Sequence, residues 1–321
     1  MPRPIIMGVV GDSASGKTTL TRGLVRLLGE EQVSHLCLDD YHRFDRAERA
    51  RMGLTPLDPV CNYMDVMEQH LRLLRQSEAV LKPVYRHADG TFGPPVYLKP
   101  GKFVIVEGLL GYHTEELRSC FDIRVFLDPP ESLRRRWKVL RDCSRRGYTT
   151  TQVLEELDRR EADSDRYIRP QRHSADMVVR FAPPPGSDGE DGTHLDAHLL
   201  LRPGLPHPDL SDVVGDDSER GLSLVGVDGE QDLRVPGRLE PAVALELEER
   251  IWEHMHFASH LRSERLGEFT VGTDLHRSEP LAVTQLLVLY QLVTARAAVA
   301  LGANGARVDA DQPAPAPLPA T

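Results

Sequence analysis

The octapeptide Gly11-Asp12-Ser13-Ala14-Ser15-Gly16-Lys17-Thr18 fills every fixed position of G-x-x-x-x-G-K-[ST]. Before it, Ile5–Val10 has the length and β-branching of a buried parallel strand. After it, Leu20, Leu24, Leu27 and Leu28 recur at helical spacing until Gly29. Strand, glycine turn and helix in this order commit the chain to an α/β layer and to a polyphosphate site. Gly11 and Gly16 let backbone N–H groups turn inward, and the helix start favours an anion. Lys17 is placed to reach the β- and γ-phosphates of a nucleoside triphosphate. The Thr18 hydroxyl suits Mg²⁺, which takes hard oxygen ligands. Asp12, Ser13, Ala14, Ser15 and Thr19 complete the cradle.

Apolar runs alternate with helical patterns up to residue 181, the signature of a mostly parallel sheet flanked by helices. Strands are expected at Ile5–Val10, Ser34–Leu38, Phe103–Val106, Ile123–Leu127 and Met177–Phe181. Helices are expected near 17–28, 63–76, 113–118, 131–146 and 150–161. This gives a P-loop core over 1–181, a Pro/Gly-rich connection over 182–193 and a C-terminal extension over 194–301. The extension adds strands at Ala197–Leu201 and Leu222–Val227 and helices near 240–258 and 281–301. The Ala/Pro-rich tail over 302–321 reads as disordered. Lys+Arg 39 against Asp+Glu 49 gives a net charge of −10, which argues against a nucleic-acid or membrane-surface partner. Cysteines 37, 61, 120 and 143 form no disulfide framework, and with no leader-like N-terminus a cytoplasmic setting is expected. Leu281–Leu301 is interrupted by Gln285, Gln291, Thr294 and Arg296, so it reads as a buried or dimer-facing helix rather than a membrane span.

Three further segments carry chemistry. Asp39 and Asp40 follow the second strand, and strand carboxyl ends line the crevice of an open α/β sheet. A carboxylate there can take the proton of an attacking hydroxyl during in-line phosphoryl transfer, and one of the two is assigned that role. Phe103-Val104-Ile105-Val106-Glu107-Gly108 is an apolar strand ending in an acid, which makes Glu107 the metal-site candidate. On the helix from Glu131 to Arg146, Leu133, Trp137 and Leu140 form a stripe expected on the sheet. Lys138, Arg141, Asp142 and Arg145 form a cationic face beside it. That face is either solvated surface or a clamp for transferring phosphate. The same alternatives hold for Arg46, Arg49 and Arg51.

GDSASGKTT, LCLDDYHRFDR, LTPLDP, KPVYRH, VIVEGLLG and WKVLRDCSRRGYT occur in the order, and with spacing close to that, of the phosphoribulokinase family, which the chain resembles over nearly its whole length to about residue 300. LVGVDGEQDLR and EERIWEHMHFASHLRSERLGEF resemble, more weakly, the longer plant and cyanobacterial type. The resemblance implies ATP- and Mg²⁺-dependent phosphorylation of the C1 hydroxyl of D-ribulose 5-phosphate. By position it implies Asp39 as catalytic base and second metal-site acid, with Glu107 at the metal. His42 and Arg46 fall on sugar-phosphate positions, and Tyr85 and His87 near the acceptor. Lys138, Arg141, Asp142 and Arg146 fall on functional positions of the basic helix, and Arg49 joins the acceptor set. A homodimer is also implied. Ser15 stands where the thiol-regulated chloroplast form has a cysteine, so Cys37 lacks that partner and no such redox switch is expected. Leu110, Arg86 and Ser164 depart from the usual residues and leave room for a different acceptor. The nearest rival is a uridine or cytidine kinase, whose acceptors carry no phosphate for Arg46, Arg49, Arg141 and Arg146. A regulator without transfer chemistry should have lost Asp39 or Glu107. A translational-type GTPase needs N-K-x-D, and the asparagines are Asn62 and Asn304 alone.

Overall fold

The computed structural model describes residues 2–187, 193–214, 221–227, 229–271 and 274–307. Its parallel strands are β1 (Ile5–Gly11), β2 (Val33–Cys37), β5 (Phe103–Gly108), β6 (Ile123–Leu127) and β7 (Met177–Ala182). They are continued antiparallel by β8 (Asp196–Leu201), β10 (Glu230–Val235) and β9 (Ser223–Val227), in the order β2-β5-β1-β6-β7-β8-β10-β9. The expected mostly parallel sheet with C-terminal additions is therefore present, and the later strands extend the same sheet. β1 lies between β5 and β6, with Ile5 opposite Phe103 and Met7 opposite Ile123.

Alternation along β1 assigns its two faces. Ile5, Met7 and Val9 pack in one core with α1 (Lys17–Leu28), α7 (Pro241–Glu253) and α8 (Glu279–Ala300). Ile6 and Val10 pack in the other with α3 (Met64–Arg75) and α4 (Glu115–Ser119). α8 is apolar around most of its circumference, and its apolar surface is covered by α1, α7, β1 and β8 of its own chain. It is the one described helix long and apolar enough to cross a membrane. Gln285 lies within this core and accepts from Gly267 N at 2.9 Å. A Cβ on Gly23 of α1 would stand 2.0 Å from Gln285 Nε2, so any larger residue there has to displace that side chain.

Among the elements the sequence reading missed are β10, a hairpin and a short helix. β3 (Val80–Arg86) and β4 (Thr91–Leu98) pair antiparallel as a separate hairpin, with Leu81 and Tyr97 exposed. Pro83, Pro94 and Pro95 lie within these strands, and a two-stranded arm tolerates them because each strand is paired along one side alone. α2 (Arg46–Met52) begins with a capping box between Asp45 and Glu48. α5 (Glu131–Arg146) and α6 (Thr150–Asp163) follow the expected spans but pack chiefly on each other. Part of the expected disordered tail is fastened: Arg307 donates to both carboxylate oxygens of Asp176, at 2.7 and 2.8 Å, and Arg3 donates to Asn304 O. Residues 308–321, and 188–192 of the expected connection, lie outside the described residues.

Candidate active site

The phosphate loop is a preformed anion cradle. β1 ends at Gly11, where a Cβ would lie 2.5 Å from Leu127 O. Ala14 and Gly16 have φ of 66° and 96°, which tightens the loop around the start of α1. No side chain caps that helix at Gly16, so its first N–H groups are left for a ligand. Lys17 folds back and donates to Gly11 O and Asp12 O, both at 2.7 Å. Desolvation lowers its pKa, opposed by Asp39, Glu107 and Asp12. Ser15 is buried behind the loop, and Thr19 N donates to Gly16 O at 3.0 Å.

The two neighbouring aspartates divide. A 3₁₀ turn over Leu38–Tyr41 follows β2, and within it Asp40 accepts from Tyr85 N at 2.8 Å and from the Lys82 ammonium. Both Asp40 oxygens thus anchor the β3–β4 hairpin. Asp39 instead has His87 Nε2 3.7 Å away. Burial would raise its pKa, but the charges of His42, His87, Lys17 and Arg160 outweigh that and hold it below the ordinary carboxylate value. A half-buried carboxylate held below its ordinary pKa, with oxygen free of strong bonds, is able to accept a proton.

On the adjacent strand, Glu107 takes Thr21 Oγ1 at 3.2 Å, and Thr18 Oγ1 lies 3.3 Å from each of its oxygens. Burial again pushes upward, but His35, Lys17 and Thr21 hold Glu107 below its ordinary value. Among the described residues no three His, Cys, Asp or Glu side chains converge as a cage. Mg²⁺ is commonly bound by one or two carboxylates with substrate phosphates and water, so a hydroxyl and a carboxylate beside a phosphate cradle fit that ion. Asp39 stands with the acceptor-side histidines, and no bond joins it to Thr18 or Glu107.

Across from the loop, His42 is buried, pairs through Nδ1 with Asn62 Oδ1 at 2.8 Å and meets the edge of Tyr85 at 4.7 Å. Burial lowers the pKa of His42 and of His87, and the charge of Asp39 opposes the shift in both. Arg49 is buried, donates to Tyr85 Oη at 2.7 Å and lies over the same ring. Tyr85 in turn meets the edge of His87 at 5.1 Å, and Arg46 donates to His87 O at 2.6 Å. α2 thus sets Arg49 on Tyr85 and Arg46 on His87, the histidine beside Asp39.

α5 reverses one expectation. Leu133 is buried as expected, but Leu140 is 62% exposed, whereas Lys138 and Asp142 are each 2% exposed and Arg134 4%. The buried stripe is therefore Arg134, Lys138 and Asp142 at four-residue spacing, and it faces the phosphate loop: Arg134 donates to Ser13 O at 3.1 Å. Asp142 receives Lys138 Nζ at 2.8 Å, Arg141 Nε at 2.8 Å and Arg146 Nη1 at 3.4 Å. Those hydrogen bonds and charges outweigh its burial and hold its pKa at about 2. Arg141 also reaches Ser13 Oγ at 3.4 Å. The Arg145 side chain lies outside the described ones.

Residues that the sequence reading did not assign complete the site. Arg160 of α6 pairs with Glu156 and adds positive charge near Asp39, Asp142 and Lys138. Ser164 opens a short π-helical turn over Ser164–Ile168 and donates to the loop carboxylate Asp12. Asn62 orients His42, and Lys82 holds Asp40. No local pattern marks these residues, because α6 and the hairpin reach the site only through packing.

A strand-ending phosphate loop, carboxylates at the ends of the two strands on one side of it and a helix burying cations against it define a P-loop kinase. The chain belongs to the Phosphoribulokinase / Uridine kinase family, whose model matches residues 6–184. It is 36% identical over 205 residues to the phosphoribulokinase of Synechocystis sp., a match covering 64% of this chain and 62% of that one. It is 30% identical over 221 residues to the chloroplastic phosphoribulokinase of Triticum aestivum, covering 63% and 55%. The uridine kinase of Listeria monocytogenes serotype 4a is 29% identical over 182 residues, covering 55% and 87%. The chain thus spans less than two thirds of the length of the Synechocystis and Triticum phosphoribulokinases. Among solved structures, phosphoribulokinase from Rhodobacter spheroides has a TM-score of 0.58 at 20% identity, covering 81% of this chain and 99% of that one, a likeness of fold.

Proposed function

We propose that the chain transfers the γ-phosphoryl group of ATP to the C1 hydroxyl of D-ribulose 5-phosphate, giving ribulose 1,5-bisphosphate. The observation that carries this reading is Asp39 beside His87 at 3.7 Å, with Lys17 of the phosphate loop and Arg160 among the charges that hold its pKa down. Asp39 takes the hydroxyl proton as the oxygen attacks the γ-phosphorus and the bond to the β-phosphate oxygen breaks. Lys17 swings from the loop carbonyls onto the β- and γ-phosphates. Arg141, beside Ser13, meets charge developing on the equatorial oxygens, with Lys138 fixing Asp142 beneath it. Thr18 and Glu107 would hold Mg²⁺, which supplies charge neutralisation across the phosphates.

The acceptor's own phosphate favours a sugar phosphate over a nucleoside. Arg46 and Arg146 flank the approach to Asp39, and a guanidinium fork suits a phosphate dianion. His42, Tyr85 and His87 line the same approach and offer polar groups to sugar hydroxyls. Turnover of ribulose 5-phosphate, uridine and cytidine under equal ATP tests the reading. Phosphorylation of ribulose 5-phosphate with negligible nucleoside turnover is expected. Nucleoside phosphorylation at equal or higher kcat/KM would overturn it.

A further inference from the structure

The sheet face beneath α1 is apolar along β1, through Ile5, Met7 and Val9, and along β5, through Phe103 and Ile105, as far as Glu107. On β2 the same face carries Val33, His35 and Cys37, and the parallel register sets His35 opposite Ile105 and Cys37 opposite Glu107. A histidine breaks the apolar row. His35 and Glu107 therefore stand two residues apart on neighbouring strands with side chains on one face, a diagonal that a ring and a long carboxylate can span. His35 Nε2 lies 3.5 Å from Glu107 Oε1. Because β2 is the edge strand, the His35 side chain is 43% exposed, whereas the carboxylate it meets is only 12% exposed. The ring thus reaches inward from solvent to a covered acid.

The two carboxylate oxygens have different neighbours. Thr21 Oγ1 donates to Oε2 at 3.2 Å, and Thr18 Oγ1 lies 3.3 Å from each oxygen. Thr18 is itself proposed as a metal ligand. The contacts that orient Glu107 from outside the metal pair are then Thr21 on Oε2 and His35 on Oε1. Held from two sides, the carboxylate has its plane and its remaining lone pairs fixed before a cation arrives, as the outer partners of metal ligands commonly do. Burial pushes the Glu107 pKa up, and His35 contributes most among the groups that oppose it. A histidine without this task would be a solvated edge-strand residue, which a β-branched side chain could replace at no cost.

Resting on the metal site proposed above, we infer that His35 is a positioning residue, whose Nε2–H holds Glu107 in the orientation that receives the divalent cation of the bound nucleotide. Isothermal titration of ATP into the whole chain, once with saturating Mn²⁺ and once with EDTA, tests it without turnover. The ratio of the two dissociation constants is the gain that the cation confers, and by linkage it reports how tightly the protein–ATP complex holds Mn²⁺ relative to free ATP. His35→Val, which suits an edge strand and removes the donor, is expected to shrink that gain roughly 10- to 100-fold, the range of lost outer partners, while ATP in EDTA binds as in the parent. His35→Gln keeps an N–H donor and should retain most of the gain. A gain unchanged in His35→Val, including one left unchanged by equal losses in both media, would overturn the assignment, as would equal shrinkage in His35→Val and His35→Gln. Glu107→Gln separates this inference from the reading beneath it. A gain that survives Glu107→Gln would sink the metal site itself, whereas a gain lost there and kept in His35→Val would overturn the role of His35 alone.

Discussion

Asp142→Asn offers a quantitative test of the charged stripe on α5. The carboxyl is buried against Lys138, Arg141 and Arg146, and its pKa is about 2 against an ordinary 3.8. That interval corresponds to about 2.4 kcal/mol of folding stability supplied by the ionised form. Because the folded value lies below the unfolded one, the contribution is complete above about pH 4 and is lost as pH falls through about 2. Asparagine imitates the protonated acid at every pH, so the variant should lose about 2–3 kcal/mol at pH 7. An uncompensated Lys138 would raise the loss toward the roughly 3–5 kcal/mol of a broken buried pair. Urea unfolding of both proteins at pH 7, 5 and 4 measures the difference, which should stay within about 0.5 kcal/mol of constant over that range. The double variant Lys138→Met/Asp142→Leu should recover much of the loss, since it removes both charges. A difference below about 1 kcal/mol at pH 7, or one that vanishes by pH 5, would refute the buried-pair account.

Asp39→Asn should keep ATP binding and lose kcat by several powers of ten, roughly the upper range of general-base effects, and ordinary turnover would remove the assignment. Because Asp39 is held below its ordinary value of 3.8, its acid limb in the kcat profile should fall below about pH 4, and an inflection near neutrality traced to this residue would contradict the geometry. Arg46→Ala should raise KM for a phosphorylated acceptor and spare KM for ATP, whereas equal effects on both would show its role misplaced. Gly23→Ala drives a Cβ to 2.0 Å from Gln285 Nε2 and should cost about 1–3 kcal/mol by urea unfolding, partly relieved by Gln285→Ala; an unshifted midpoint would show that α1 and α8 have room to separate.

What the sequence disclosed follows from how locally each feature is encoded. The phosphate loop, its strand and its helix are contiguous, so period, glycine placement and motif agree, and the end of β5 reads equally well at Glu107. α5 misled because hydrophobic spacing was taken to choose its buried face. Leu140 faces solvent and Lys138 does not, since the carboxylate of Asp142 and the hydrogen bonds to Ser13 make burial of the charged face tolerable. A pattern rule ranks side chains by transfer from water and cannot see partners contributed from a hundred residues away. Arg160 and Ser164 escaped for the same reason: their neighbours at Asp39 and Asp12 are set by how α6 closes on the loop.

Asp39 and Asp40 show why position along the chain was not enough to separate catalysis from scaffolding. Both follow β2, both are acids and both lie within one turn. What distinguishes them is occupancy of their oxygens. Asp40 is consumed by Tyr85 N and Lys82, which makes it the hinge on which the β3–β4 hairpin carries Tyr85 and His87 over the site. Asp39 keeps its charge through four surrounding cations or titratable rings at a distance, and it leaves its lone pairs for a proton. With Asp39 proposed as the base, exchanging these roles would require moving the hairpin, a proline-rich arm that looks like a loop in the sequence. The same arm holds Arg49 through Tyr85 Oη and Arg46 through His87 O. On the proposed function, acceptor recognition and base selection would be coupled through a single hairpin.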